Sequence, residues 1–210
     1  MKYTAIVFET ATSKFTSVCS IGLCVVEDGK VIHKKEILVR PEPFEFNEYN
    51  IKIHGITPEL VWNRLTFDGY WEEILPYLEN TLVIAHNCSF DINVLKKTLD
   101  MFSIEYPDFH YLCTVKLSQA AYPDLFSHKL NNLCESLHLC DFNHHHAMDD
   151  AYACAMVLER VMKDYDLKTL DDITDKFDVN VGHLYPGYVE PKKKTNRKKK
   201  KLSKTKKVMI

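Results

Sequence analysis

The run Tyr3-Thr4-Ala5-Ile6-Val7-Phe8-Glu9-Thr10-Ala11 constrains this chain more than any other stretch, because it is apolar, rich in β-branched residues and interrupted by one carboxylate. It reads as a strand. Two further strand-like runs follow and meet at Gly29, which suits the central strand of a sheet covered on both faces. A lone carboxylate at the end of a buried strand is costly unless something cationic meets it. Glu9 is therefore either a paired structural acid or a metal ligand, and the strand alone leaves both open.

The next elements follow from period and punctuation. Ser17 to Val26 is a second strand, turned by Glu27-Asp28-Gly29-Lys30, and Asp-Gly between apolar runs is a strong hairpin signal. A third strand, Val31 to Val39, stops before Pro41 and Pro43. A short helix ends at Gly55, Thr57-Pro58 opens another, and Thr66 caps a third that runs to about Leu78. Leu82 to Ala85 is a fourth strand, followed by His86-Asn87-Cys88-Ser89 and then Ile92, Leu95, Leu99 and Phe102 at helical spacing, which puts Asp91 in a first helical turn. Tyr111 to Cys113 is a fifth, short strand. Thr114 to Ala121 and Leu130 to Leu137 read as helices, a long helix begins near Ala147, and Leu167 to Phe177 adds a short one. Three consecutive strands followed by alternating strand and helix predict a mixed five-stranded sheet, with a meander on one edge, parallel strands on the other and helices on both faces. That α/β pattern is the shape of a ribonuclease-H-like three-layer fold.

With 210 residues, 46% hydrophobic and 27% charged, the chain can bury one substantial core. We expect a domain over 1–178 and a C-terminal extension over 179–210, with a disordered Lys-rich tail from about residue 192. The net charge of −2 conceals an asymmetry: Lys192 to Lys207 carries 11 of the 27 basic residues, so 16 basic residues face 29 acidic ones in the body. Such a tail either finds a polyanion or is simply solvated. No stretch is long or apolar enough to span a bilayer, and Met1-Lys2-Tyr3 runs directly into strand sequence without a leader pattern, so the expected setting is cytoplasmic with no membrane partner. Seven scattered cysteines without a C-x-x-C pair fit free thiols, with Cys24, Cys113 and Cys154 as buried small hydrophobes.

The chemistry lies in three separated places: Glu9 after the first strand, Asp91 opening a helix, and His145-His146-Ala147-Met148-Asp149-Asp150 leading into the last long helix. Carboxylates from different elements repel, so they converge only where a cation holds them. Hard oxygen ligands without thiolate suit Mg²⁺ or Mn²⁺, and two such ions would clamp the attacking and leaving oxygens of a phosphodiester. A His just ahead of the helix is a natural base for an attacking water. A zinc site from Cys140 and His144-His145-His146 is disfavoured, since no second Cys or His pair completes a tetrahedron.

Ile6-Val7-Phe8-Glu9-Thr10-Ala11, His86-Asn87-Cys88-Ser89-Phe90-Asp91 and His145 to Ala151 resemble, in order and spacing, the three motifs of the DEDDh 3′-5′ exonucleases, the family of the epsilon subunit of bacterial DNA polymerase III. The resemblance runs from about Lys2 to Leu158 and includes His54-Gly55-Ile56-Thr57. It implies a two-metal phosphodiesterase acting on single-stranded DNA or RNA 3′ ends, with possible polymerase association. Glu9, Asp91 and Asp150 would be metal ligands and His145 the general base, while Thr10, His54, His86 and Phe90 would surround the terminal nucleotide. The departure is Val7, where the family has an Asp that normally bridges both metals. Glu9, two residues on, cannot fill the gap because it stands one strand repeat away, and Asp149 points about a hundred degrees from Asp150 on the helix. The expectation is an impaired 3′-5′ exonuclease. The alternative is a non-catalytic module that binds single-stranded 3′ ends.

Overall fold

The computed structural model describes residues 1–140 and 144–189. The first three strands, β1 (Lys2–Thr10), β2 (Val18–Glu27) and β3 (Lys30–Leu38), form an antiparallel meander. The β2–β3 hairpin turns through Asp28 and Gly29, both at positive φ (49° and 75°), the backbone a tight two-residue hairpin turn demands and an Asp-Gly pair adopts at low cost. After α1 (Glu48–His54), α2 (Pro58–Val61) and α3 (Phe67–Ile74), β4 (Leu82–Ala85) pairs parallel to β1, and β5 (Phe109–Cys113) parallel to β4. Helix α4 (Cys88–Phe102) connects these two strands, and α5 (Thr114–Ala121), α6 (Leu130–Leu137), α7 (Ala147–Asp164) and α8 (Leu170–Phe177) follow. The long α4 helix ends where Ser103 turns left-handed at φ 56°.

The sheet has six strands, one more than expected. Val181–Leu184 forms β6, antiparallel to β5, giving the order β3-β2-β1-β4-β5-β6. The sheet thus reaches past residue 178, into the segment assigned from sequence to the extension. A four-residue run containing Gly182 carries too little β signal to be seen alone. The helix opened by Thr66 stops at Ile74, four residues short of the expected Leu78, because Pro76 removes a donor and the chain tightens into a 3₁₀ turn over Leu75–Tyr77. The helix placed from Leu167 begins at Leu170, where Thr169 and Asp172 form a capping box. The basic run from Lys192 lies outside the described residues. Among the described residues no helix is long and apolar enough to cross a membrane, and all seven cysteines are free thiols, Cys113 half-buried rather than buried.

Strand period decides what covers each face. Ile6 and Phe8 pack with Phe67, Ile74, Leu95 and Leu99 on the α3–α4 side. Tyr3, Ala5 and Val7 pack with Leu117, Ala151, Cys154 and Leu158 on the α5–α7 side. Glu9, two residues beyond Val7, shares that second face. The central position of β1 therefore delivers a carboxylate to the edge where α7 begins.

Candidate active site

Three carboxylates from three elements face one cavity of about 570 Å³, lined among others by Val7, Glu9, Phe90, Asp91, His144 and Asp150. Asp91 stands in the first turn of α4, only 3% exposed, and its Oδ1 accepts the backbone N–H of Phe8 at 3.1 Å. That bond ties α4 to the end of β1. Asp150 enters from the first turn of α7, where Oδ2 accepts the His145 backbone N–H and Oδ1 lies 2.9 Å from His144 Nδ1. Burial pushes the Glu9 carboxyl up to about 8, reinforced by the negative charge of Asp150, Asp91 and Glu36. Burial likewise lifts Asp91 to about 8, against the Phe8 bond that favours its charged form. Asp150 is also raised by burial, although His144 opposes the shift.

Among the described residues no Lys or Arg pairs with Glu9 or Asp91. Crowded, desolvated carboxylates without a cationic side chain are an environment that fits a divalent cation. The tightest group of possible ligand atoms is a different set: one atom each from His144, His145 and Asp150, all within 4.8 Å of one another. Glu9 and Asp91 share the cavity but not that cluster.

The histidines divide by what their nitrogens do. His145 adopts a left-handed φ of 68°, stacks on His144 with centroids 3.8 Å apart, and is held below its ordinary pKa by burial first and by His144 second. It is therefore neutral near pH 7, as a proton acceptor must be. His146 turns away, with Nε2 2.8 Å from Glu36 Oε2. His86 lines the cavity, yet both ring nitrogens are used inside the protein: Nδ1 is 2.9 Å from Thr114 Oγ1 and Nε2 2.9 Å from the His128 carbonyl. Burial lowers its pKa to about 4. The His54 ring faces the Thr10 carbonyl at 3.3 Å through Nε2 and accepts the Ile56 N–H through Nδ1 at 3.0 Å. Its pKa too is lowered by burial. Thr10 is 7% exposed and meets Asn50 and His54 through its carbonyl. Of the four residues expected around a terminal nucleotide, Phe90 and His86 line the cavity, whereas Thr10 and His54 brace the chain behind Glu9. Phe90 is fixed by an edge-on contact with Phe15, 5.8 Å between centroids.

Two features escape a reading by motif. Gly22, paired with Val7 across β1–β2, lies under the start of α7; a Cβ there would fall 1.9 Å from the Ala147 carbonyl oxygen. Only glycine lets α7 approach β2 closely enough to bring Asp150 over β1. An isolated Gly inside a strand is the available signal for such an approach. His144 is the other, since its side chain, not that of His145, bonds the Asp150 carboxylate.

The six-stranded mixed sheet with helices on both faces defines a ribonuclease-H-like nuclease fold. The nuclease domain of 3′hExo, a DEDDh family member bound to rAMP, superposes with a TM-score of 0.70 at 17% identity, over 86% of this chain and 96% of that one. Exonuclease X in complex with 5′ overhanging duplex DNA gives 0.68 at 23%, over 83% and 99%. At these identities the likeness establishes the fold. In sequence, the RNase T exonuclease family model matches residues 8–158. DNA polymerase III PolC-type of Clostridium perfringens (strain 13 / Type A) is 31% identical over 183 residues, 80% of this chain and 12% of that protein. The 3′-5′ exonuclease DinG of Bacillus subtilis (strain 168) is 24% identical over 188 residues, 87% of this chain and 20% of that protein. The chain belongs to the RNase T exonuclease family. It spans 12% and 20% of the length of these two relatives.

Proposed function

We propose that this chain hydrolyses phosphodiester bonds at the 3′ ends of single-stranded DNA or RNA, with a divalent cation, Mg²⁺ or Mn²⁺, at the carboxylate end of the cavity. The observation that carries this reading is the convergence of Glu9, Asp91 and Asp150, from β1, α4 and α7, on a single cavity. Glu9, Asp91 and Asp150 would hold the metal, a pair of ions in the full form of the mechanism, which supplies a polarised phosphoryl group and an acidified water. His145, neutral at pH 7 and with a ring nitrogen inside the 4.8 Å group around Asp150, takes the proton of the attacking water. His144 positions the Asp150 carboxylate. Phe90 provides an apolar wall for the terminal sugar or base.

Val7 lines the same cavity as Glu9. An isopropyl group stands where a fourth carboxylate would reach the cations, so the chain is a slow nuclease that retains its 3′-end pocket. Digestion of labelled single-stranded DNA and RNA by this chain and by Val7→Asp, each with Mg²⁺ and with Mn²⁺, tests the reading. The expected result is a rate increase on the order of 10² to 10⁴ in Val7→Asp. Equal rates would refute the role given to Val7, and no digestion by either protein would refute the nuclease reading. Resemblance to PolC-type polymerases supports association with a polymerase, which co-purification with polymerase subunits would test.

A further inference from the structure

The cavity has an unusual lip. Its wall includes the segment from Phe126 to Asn131, which runs from the α5–α6 connection into the first turn of α6. Phe126 is fully exposed, at 104% of the reference accessibility, and so forgoes the burial that a phenylalanine otherwise gains on folding. The residues on either side of it are fastened. Leu125 packs against the α6–α7 cluster and donates its N–H to the Tyr122 carbonyl at 3.1 Å. His128 is held by Ser118 Oγ at 3.1 Å from its Nδ1, while its carbonyl lies 2.9 Å from His86 Nε2. The ring thus projects from an anchored support at the mouth of a cavity.

A flat ring presented this way has one efficient use beside a nucleic-acid pocket. Every nucleobase has a π-face, so stacking holds a strand without reading its sequence, and the polar edge of the base stays in water. Exposed Lys129, in the same lip, supplies charge for the phosphate that accompanies the base.

We propose that Phe126 is a stacking platform for one nucleobase at or next to the 3′ end of a single-stranded nucleic acid lodged in the cavity. The inference rests on the 3′-end reading above and adds a substrate-positioning residue to it. The test is binding of a 5′-fluorescein oligothymidylate 8-mer, its linkages made phosphorothioate to resist hydrolysis, in Mg²⁺, followed by anisotropy for the parent chain, Phe126→Ala, Phe126→Leu and Phe126→Trp. Because the side chain is fully exposed, all four proteins should melt together. Phe126→Ala and Phe126→Leu should weaken binding about tenfold, and Phe126→Trp should hold the parent affinity, since a base stacked on an aromatic ring is strongly stabilised. Repeating the titration with one abasic site moved along the oligonucleotide should erase the parent-to-alanine difference at one position near the 3′ end. Equal affinity of parent and Phe126→Ala overturns the proposal while leaving the 3′-end reading intact. A difference that survives every abasic substitution also overturns it, and assigns the effect of Phe126 to the sugar-phosphate backbone instead. Absence of binding by the parent overturns the 3′-end reading itself, and this inference with it.

Discussion

Raising pH from 6.5 to 7.5 in chelator should destabilise the folded chain, the reverse of ordinary carboxylate behaviour. Glu9 and Asp91 titrate near 8 in the fold, against ordinary values of 4.5 and 3.8. Across this window the unfolded chain has already released both protons and the folded chain still holds them. The folded state therefore binds more protons, and stability falls as pH rises through the folded values. The lowered histidines act oppositely: His86, His54 and His145 are neutral in the fold and charge only in the unfolded chain, so they add stability with rising pH, a gain that fades above about 6.5. Half of each unfolded histidine is still protonated at about pH 6.5, so across the window they return about 0.3 kcal/mol apiece, less than the two carboxylates take away. A full proton difference is worth about 1.4 kcal/mol per pH unit, so two groups set a ceiling of about 2.5 kcal/mol, reduced to about 0.5 to 1.5 by the partial exposure of Glu9, the shared repulsion and the opposing histidines. For a domain of this size that is a drop in Tm of roughly 1 to 5 °C. Thermal melts in EDTA at pH 6.5, 7.0 and 7.5, for the parent, Glu9→Gln and Asp91→Asn, would measure it. Each variant should lose at least half of the parental slope, and saturating Mn²⁺ should abolish or invert it, because cation binding favours the deprotonated carboxylates. A flat or rising Tm in EDTA, or an unchanged slope in both variants, would refute the view that these two acids are held neutral side by side.

The same electrostatics predict that Val7→Asp lowers stability in chelator by about 1 to 3 kcal/mol, and that Mn²⁺ reverses the order of the two proteins; a Val7→Asp protein that melts higher in chelator would show that residue 7 does not meet the other acids. In the Val7→Asp background, Asp150→Asn or His145→Ala should remove most nuclease activity in a gel assay, whereas His146→Ala, which breaks a contact with Glu36, should leave most of it. Gly22→Ala should cost about 1 to 3 kcal/mol by overpacking and should also depress activity, because a Cβ 1.9 Å from the Ala147 carbonyl must push α7 off the sheet; an unchanged urea midpoint would refute the close approach.

What the sequence by itself determined is what is written in local period and punctuation. The strand Leu82–Ala85 and the helices Thr114–Ala121 and Leu130–Leu137 fall where the residues alone place them, and the long helix starts at Ala147 as expected, because side-chain periodicity within one element needs no distant partner. The order of the sheet around β1 followed from three strands in a row and then alternation. The family followed from three short motifs in order. Tertiary structure decided the rest. Nothing local shows that Val181–Leu184 finds the free edge of β5, since so short a strand is stabilised by the neighbour it pairs with. Nothing in the row of histidines from 144 to 146 tells which ring reaches Asp150; the left-handed turn at His145 and the packing of α7 on Gly22 choose His144. His86 looks like a substrate contact by position, yet Thr114 and the His128 carbonyl, 28 and 42 residues away in the chain, occupy both its nitrogens. Hydrogen-bond partners are set by distances between elements, and those distances come from the packing of the whole core, which no pattern within a single element encodes.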